Sequence, residues 1–171
     1  MNKKIGILLI NLGTPDNCDV KSVRRYLREF LNDERVITLP FLARQVLLNL
    51  FILPFRPKQS AKAYQKIWTD KGSPLLIHSK NLQKKLAERF DDNYQVELAM
   101  RYGSPSIKNA IDKLNNVEQL IVIPLYPQYS SAANGSSIEK VYQELKGSLN
   151  HPNLIMIRDF FKDHGFLKAQ S

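Results

Sequence analysis

The chain has 171 residues, of which 43% are hydrophobic, and a formal net charge of +9 at pH 7. This length and this apolar content suit one domain with a buried core, and they exclude an intrinsically disordered chain. The single cysteine, Cys18, excludes an internal disulfide and a multi-cysteine metal site, and it favours a reducing compartment. The positive charge alone is compatible with nucleic acid, an anionic membrane or an acidic small molecule as the partner.

The chain is predicted to begin with a buried strand. Residues 5–10 form a continuous apolar run, which is typical of a strand covered on both faces, and residues 11–16 are predicted to be a loop. Because the first apolar run is too short for a secretory signal, we expect a cytoplasmic protein. The apolar spacing from Val20 to Leu31 predicts a helix with Asp19 as its N-cap.

The most apolar stretch begins at Phe41 and ends at Phe55, and we call residues 41–55 the lip segment. It is interrupted by the polar residues Arg44, Gln45 and Asn49. It is also shorter than the roughly 18 to 20 apolar residues that a spanning helix needs, so it is not expected to cross a membrane. Its residues 41–53 predict a helix that is apolar nearly all round, and a short helix is predicted over residues 60–68.

Helices and strands alternate along the rest of the chain. Strands are predicted over residues 94–100, 120–125 and 154–157. Helices are predicted after Gly72-Ser73-Pro74, over residues 138–149, and from Asp163 onward. Another helix is predicted to begin at Pro105, with Ser104 as its N-cap and an apolar stripe that starts at Ile107. This alternation predicts the α/β fold class: a parallel sheet of about four strands with helices on both faces, in one domain over residues 1–171.

Ligands of such sheets bind beyond the C-terminal ends of the strands, where three loops are predicted. These loops cover residues 11–16, 101–105 and 126–137. None of them has a phosphate-binding glycine pattern. They contain Arg101-Tyr102 and a Tyr-Pro-Gln-Tyr-Ser-Ser run. Because arginine binds carboxylates bidentately and tyrosine offers a flat apolar face, these residues suit a large flat ligand with carboxylate tails. An ordinary turn with a surface arginine is the alternative interpretation.

Four motifs occur in the chain in a fixed order. They are ILLINLGTPD (residues 7–16), KGSPL (71–75), MRYGSPS (100–106) and LYPQYSSAANGSS (125–137). In order and spacing they resemble the N-terminal half of the ferrochelatase family. The resemblance implies a lyase-type reaction of heme and porphyrin biosynthesis, the insertion of Fe(II) into protoporphyrin IX. It also implies two similar α/β domains with the porphyrin between them, so the last helix of this fragment is expected to be truncated or to start the crossover.

The resemblance also implies which residues bind the porphyrin. They are Leu12, Arg101, Tyr102, Tyr126 and Ser130, and we call these five residues the pocket wall. Leu12 favours protoporphyrin, because coproporphyrin-using members tend to have tyrosine at this position. Fe(II) and protoporphyrin IX enter as substrates, so no resident cofactor and no iron-sulfur cluster is expected.

The lip segment falls where the family has a hydrophobic lip that is implicated in porphyrin entry and membrane contact. With Arg44, Arg56 and Lys58 nearby, it is predicted to make peripheral contact with an anionic membrane. A buried core helix is the competing interpretation. If the family's second half is missing, apolar surface is expected around Leu12, Tyr126 and the lip segment.

The catalytic histidine of the family lies in a Ser-Ala-His-Ser-Leu-Pro motif of its second half, with a partner glutamate further on. Neither motif occurs in these 171 residues. The chain has three histidines, His78, His151 and His164. None of them is predicted to lie at a strand end beside Arg101 or Tyr126, so no catalytic residue and no metal ligand is predicted here. We expect an enzyme by family whose present chain binds porphyrin and inserts no iron alone.

Three other functions are compatible with parts of the sequence. The chain is alternatively a non-catalytic tetrapyrrole-binding module, or one subunit of a split enzyme that needs a separate C-terminal half. A half-size chelatase working as a homodimer is disfavoured, because its metal-binding histidine follows the first strand, where this chain has Asn11-Leu12-Gly13. Nucleic-acid binding is not expected, because the basic residues are scattered rather than interleaved with aromatic residues.

Overall fold

The computed structural model, which describes residues 4–147 and 151–170, is built on one parallel sheet. The strands are β1 (Ile5–Gly13), β2 (Tyr94–Tyr102), β3 (Gln119–Pro124) and β4 (Asn153–Met156). Their order across the sheet is β2-β1-β3-β4, and each neighbouring pair is parallel. The predicted parallel sheet of about four strands is confirmed.

Seven α-helices and two π-helical turns are formed by the described residues. The helices are α1 (Val20–Leu31), α2 (Phe41–Val46), α3 (Arg56–Ile67), α4 (Pro74–Ala87), α5 (Ile107–Lys113), α6 (Ser136–Leu145) and α7 (His164–Gln170). The π-helical turns Leu47–Ile52 and Ser131–Gly135 continue α2 and precede α6 respectively. The prediction that α6 continues to Leu149 was wrong at residues 146 and 147, because the helix ends at Leu145 with Lys146 as its C-cap, and residues 148–149 lie outside the described residues. Within the described ranges, no helix combines the length and the apolar character needed to cross a membrane.

Both faces of the central strand β1 are covered by helices, which explains its unbroken apolar run. Leu8 and Ile10 pack on one face in a core that also contains residues of α5 and α6. Ile7 and Leu9 pack on the other face together with partly buried residues of α4. Side chains alternate along a strand, so a strand that is buried on both sides has apolar residues at every position.

A third apolar cluster lies at the carboxyl ends of β1 and β2. It joins α1, the first π-helical turn and α3 to the end of β2, through buried side chains that include Val23, Leu27, Leu48, Ala61 and Tyr102. Leu12 is partly buried against the same cluster. In parallel α/β sheets this is the edge where ligands bind, so these helices border the candidate site.

Two predicted element boundaries differ from the structure, each for its own physical reason. Residues 11–13 are not a loop but the end of β1, since Asn11 and Gly13 still pair with Met100 and Tyr102 of β2. Helix α3 begins at Arg56 rather than at residue 60. Its second residue is a proline, and proline is tolerated in the first turn of a helix because the backbone N–H groups there have no partner within the helix.

The predicted N-cap of α5 was wrong. Ser104 and Pro105 precede the helix, and Ser106 is its N-cap, with Oγ accepting a hydrogen bond from the Asn109 N–H at 3.2 Å. The physical reason is a tertiary contact: the Pro105 carbonyl accepts a hydrogen bond of 2.7 Å from the Met100 N–H on the free edge of β2. Ser106, which forms a parallel bridge with Met100, is therefore extended, and the helix begins only after it.

Replacing the cap tests this correction. Ser106→Ala is expected to lower the free energy of unfolding by about 1 kcal/mol, because it removes the cap acceptor. Ser104→Ala is the matched control and is expected to change it by less than about 0.5 kcal/mol, because Ser104 is exposed. Urea denaturation of both variants measures the two values. A larger loss for Ser104→Ala would contradict the corrected N-cap.

Candidate functional site

The register of the sheet brings the predicted site residues to one level. Asn11 and Gly13 of β1 pair with Met100 and Tyr102, so Leu12 is level with Arg101 on β2. On the other side of β1, Ile10 pairs with Pro124, which places Tyr126 two residues beyond the end of β3. Leu12, Arg101 and Tyr126 therefore come together at the carboxyl edge of three adjacent strands.

Arg101 is held by an internal carboxylate. Its Nη2 donates to Asp33 Oδ2 at 2.6 Å, and its Nε donates to Ser136 Oγ at 2.6 Å and to the Ser136 carbonyl at 3.1 Å. The Asp33 side chain is 6% exposed and that of Arg101 is 14% exposed. The carboxylate that Arg101 binds in this structure therefore belongs to the protein.

Tyr102 joins the same group of side chains, and we call Asp33, Arg101, Tyr102 and Ser136 the Asp33 cluster. The Tyr102 hydroxyl donates to Asp33 Oδ2 at 2.8 Å, and Ser136 Oγ donates to the same oxygen. The Arg101 guanidinium lies 4.5 Å from the centre of the Tyr102 ring. The Tyr102 side chain is fully buried, so it presents no surface to a ligand in this conformation.

The cluster favours the ionised form of Asp33. Burial raises the pKa of this carboxyl, but hydrogen bonds from Ser136, the Arg35 N–H and Tyr102, together with the charge of Arg101, outweigh it and leave the pKa below its ordinary value. Burial raises the pKa of Tyr102 far above its ordinary value. Near neutral pH the cluster therefore contains one ion pair and a neutral phenol.

Tyr126 places a second phenol at this edge. Burial raises its pKa to about 12, so it is neutral under physiological conditions. The Tyr126 hydroxyl and Ser137 Oγ are both buried and close enough to interact, but among the described residues neither makes a hydrogen bond of good geometry. Buried polar groups are usually paired, so this is a place where a ligand or water would complete the structure.

Asn134 organises the loop that contains Tyr126 and Ser130. It is completely buried. Its Oδ1 accepts from the Ser130 N–H at 2.9 Å, and its Nδ2 donates to the carbonyls of Tyr126 at 3.3 Å and Arg158 at 3.0 Å. Ser130 itself is exposed at the rim. Loop geometry at the site therefore depends on one buried amide, to which the sequence analysis had assigned no role.

Removing that amide should loosen the loop. Asn134→Ala is expected to lower the free energy of unfolding by about 2 kcal/mol, because three polar backbone groups lose their buried partner. Asn115→Ala, at an exposed position, is the control and is expected to cost less than about 0.5 kcal/mol. Thermal and urea denaturation measure both. Equal stability of the two variants would show that Asn134 does not hold the loop.

All three histidines are exposed, and none belongs to the Asp33 cluster. His78 is exposed on α4, His151 is exposed before β4, and His164 is the first residue of α7. Over residues 4–147 and 151–170, no group of three or more histidine, cysteine, aspartate or glutamate side chains is placed to hold a metal ion.

The lip segment borders the site as a largely exposed apolar surface. Leu42 is 77% exposed and Phe55 is 72% exposed, and Phe41, Leu50 and Phe51 are exposed as well. A buried core helix is therefore the wrong interpretation of this segment. Its inner side is fixed by Leu48 and Leu53, which are buried. The expected apolar surface occurs here, whereas Leu12 and Tyr126 are half-buried.

Arg44 does not belong to the exposed basic residues of this surface. It is 7% exposed, and its Nη1 donates to the carbonyls of Ile37 at 3.3 Å and Leu39 at 2.9 Å. Arg44 was expected to be one of three basic residues available to an anionic membrane, but these carbonyls hold its guanidinium inside the protein. Arg56 and Lys58 are exposed beside the lip.

Comparison with known proteins decides the family. The model of the ferrochelatase family matches residues 4–171. The chain belongs to the ferrochelatase family. A ferrochelatase of Legionella pneumophila (strain Corby) is 52% identical over 166 residues, which are 97% of this chain and 50% of that relative. A ferrochelatase of Coxiella burnetii (strain RSA 493 / Nine Mile phase I) is 47% identical over 172 residues, which are 99% of this chain and 48% of that relative.

The ferrochelatase family is an enzyme family, and the chain spans about half the length of the curated relatives that it matches. This agrees with the N-terminal half inferred from the four motifs. The pocket wall stays a prediction from the sequence, which gave no sign of Asp33 or Asn134 as parts of the site. Asp33 follows α1 and belongs to none of the four motifs. Asn134 lies inside the motif of residues 125–137, but there the aromatic residues, rather than the amide, indicate a ligand site.

Proposed function

We propose that this chain is the porphyrin-binding half of a ferrochelatase-type protein of heme biosynthesis, whose family reaction inserts Fe(II) into protoporphyrin IX. The observation that carries the proposal is the meeting of Leu12, Arg101 and Tyr126 at the carboxyl edge of three parallel strands. Such an edge is where α/β sheets bind ligands. The buried hydroxyls of Tyr126 and Ser137, which lie close together and make no hydrogen bond of good geometry, add a polar site there.

The pocket wall would act mainly by shape. Leu12 would supply an apolar contact to the porphyrin face, the half-buried Tyr126 a flat edge with a polar tip, and Ser130 a hydroxyl at the rim. Fe(II) and protoporphyrin IX are both substrates in this proposal, and no resident cofactor takes part. Cytoplasmic localisation stays a prediction.

Alone, the chain is proposed to be inactive. Metal insertion requires a base that removes two pyrrole protons and a ligand that delivers the metal. His78 and His164 lie on outer helices and His151 is exposed before β4, and no cluster able to hold a metal forms among the described residues. A complementary half carrying the family's histidine motif would supply this chemistry, as in a split enzyme.

Two measurements on the purified 171-residue chain test the proposal. Titration with protoporphyrin IX is expected to show saturable quenching of tyrosine and tryptophan fluorescence with a shift of the porphyrin Soret band. Incubation with zinc and porphyrin is expected to give metalloporphyrin no faster than zinc and porphyrin without protein. Absence of saturable binding would refute the porphyrin-binding role, and turnover above that background would refute inactivity.

We further propose that the lip segment rests on an anionic membrane surface. Leu42, Phe51 and Phe55 would enter the interface, with Arg56 and Lys58 beside acidic headgroups. An apolar surface of this kind without a covering partner marks a membrane or protein contact. Insertion of α2 into the membrane interface would also place the mouth of the candidate site next to the bilayer.

Charged substitutions on the lip test this contact. The double variant Leu42→Asp with Phe51→Asp is expected to bind vesicles of phosphatidylglycerol and phosphatidylcholine with at least about tenfold lower affinity, as measured by co-sedimentation. The reason is that each apolar side chain contributes more than about 1 kcal/mol when it is buried. Leu167→Asp, at an exposed leucine of α7, is the control and should leave sedimentation unchanged. Equal binding by the lip variant and the wild type would refute the membrane contact.

A further inference from the structure

Asp33 connects three separate parts of the chain at the candidate site. It follows α1, while its partners Arg101 and Tyr102 end β2 and its partner Ser136 begins α6. One oxygen, Oδ2, accepts hydrogen bonds from all three side chains. These partners are 68 to 103 residues away along the chain. Asp33 therefore joins all three parts, in addition to the direct hydrogen bonds between Arg101 and Ser136.

The same contacts restrict what Arg101 can offer a substrate. Its Nε and Nη2, which together form one of the edges that bind a carboxylate bidentately, already donate to Ser136 and Asp33. The negative charge of Asp33 lies 2.6 Å from the guanidinium and offsets its positive charge. A porphyrin carboxylate approaching the pocket wall would meet a neutralised pair.

The cluster is adjacent to the rest of the pocket wall. Ser136 directly precedes Ser137, whose hydroxyl is next to that of Tyr126. The ring of Tyr102 packs in the apolar cluster against which Leu12 lies. Movement of Asp33 would consequently displace the aromatic and the apolar parts of the wall together. Binding residues act well only when the groups behind them are fixed.

We infer that Asp33 is the positioning residue of the pocket wall, and that Arg101 serves porphyrin binding through the fixed cluster rather than by gripping a porphyrin carboxylate. This inference rests on the proposed function, since it assumes that the wall binds porphyrin. It assigns a role to a residue that none of the four motifs contains.

The test compares protoporphyrin IX with its dimethyl ester, which has the same ring and no free carboxylate. Binding of both to Asp33→Asn, Arg101→Gln and the double variant is measured by fluorescence titration. Each single variant is expected to weaken both ligands by the same factor, about tenfold. The double variant should be no weaker than the singles, because residues that act as a unit are not additive. Asp33→Glu, which keeps the charge, should recover part of the affinity.

A stability control separates positioning from general loosening. Leu114→Ala removes a buried side chain of the core beside α5, away from Asp33, and is expected to lower stability with porphyrin affinity unchanged. In wild-type protein, ¹⁵N NMR should show a slowly exchanging Arg101 Nε–H, and Asp33→Asn should accelerate its exchange. This signal reports on the cluster without any ligand.

Several results would overturn the inference. Loss of protoporphyrin binding in Arg101→Gln with the dimethyl ester unaffected would make Arg101 a direct carboxylate ligand. Tighter binding by Asp33→Asn, or equal weakening by Leu114→Ala, would also refute the positioning role. If wild-type chain binds neither porphyrin, the proposed function fails with it, whereas normal wild-type binding with an unaffected Asp33→Asn refutes the inference alone.

Discussion

Gly13→Ala is expected to abolish the native fold or to lower the free energy of unfolding by more than about 4 kcal/mol. Gly13 ends β1 with a φ of +109°, and a Cβ built there would lie 1.8 Å from the Tyr102 carbonyl oxygen. That oxygen belongs to the backbone of β2, so no rotamer change relieves the clash. The loss is comparable to the total stability of a small domain, which is about 5 to 15 kcal/mol.

Gly72→Ala is the matched control for this substitution. Gly72 also has a positive φ, +104°, but a Cβ there would meet no atom within 4 Å. It should cost only the backbone strain, about 1 to 2 kcal/mol. Circular dichroism with urea denaturation compares both variants with wild type. Similar losses would show that strain, rather than the contact with β2, makes glycine necessary at position 13.

Asp33→Ala is expected to lower the free energy of unfolding by about 3 kcal/mol, because it leaves the Arg101 guanidinium buried without its partner. Replacing both residues, as Asp33→Ala with Arg101→Met, should recover at least about 1 kcal/mol of this loss, since no uncompensated charge remains. Urea denaturation of the two single variants and the double variant measures the coupling. Additive losses would contradict a tight pair.

The lowered pKa of Asp33 also predicts how the stability that it contributes changes with pH. Because the pKa of Asp33 in the folded chain is below its ordinary value of 3.8, its contribution is complete above that value and is lost as the pH falls through the lower, folded value. The stability difference between wild type and Asp33→Asn should be constant from pH 7 to about pH 5 and shrink below about pH 4. A difference that grows in acid would contradict it.

Much of the fold was predictable from local patterns. The apolar run of β1, the helical spacing of α1 with Asp19 as its N-cap, and the alternation in β2 all depend on residues close together in the chain. Asp19 accepts hydrogen bonds from the backbone of Lys21 and Ser22, as the N-cap prediction required. The spacing of apolar residues indicates which face of a helix or strand is buried, so these elements are predictable without knowledge of the tertiary structure.

The candidate site was predictable in part. The four ordered motifs led to the pocket wall, and the sheet register places Leu12, Arg101 and Tyr126 at one edge. They did not reveal that Tyr102 is fully buried or that Asp33 occupies the guanidinium of Arg101. Residue type indicates what a side chain is able to bind, whereas its actual partner depends on which distant segment folds against it.

The sequence by itself therefore determined the family, the α/β alternation and the apolar lip of residues 41–55. Tertiary structure decided where polar and charged groups found partners: Arg44 turned inward to two carbonyls, Ser106 instead of Ser104 capped α5, and Asp33 paired with Arg101. The physical reason is one of range. Hydrophobic burial follows a local period, whereas a hydrogen bond depends on a few tenths of an ångström between atoms that the chain separates by up to a hundred residues.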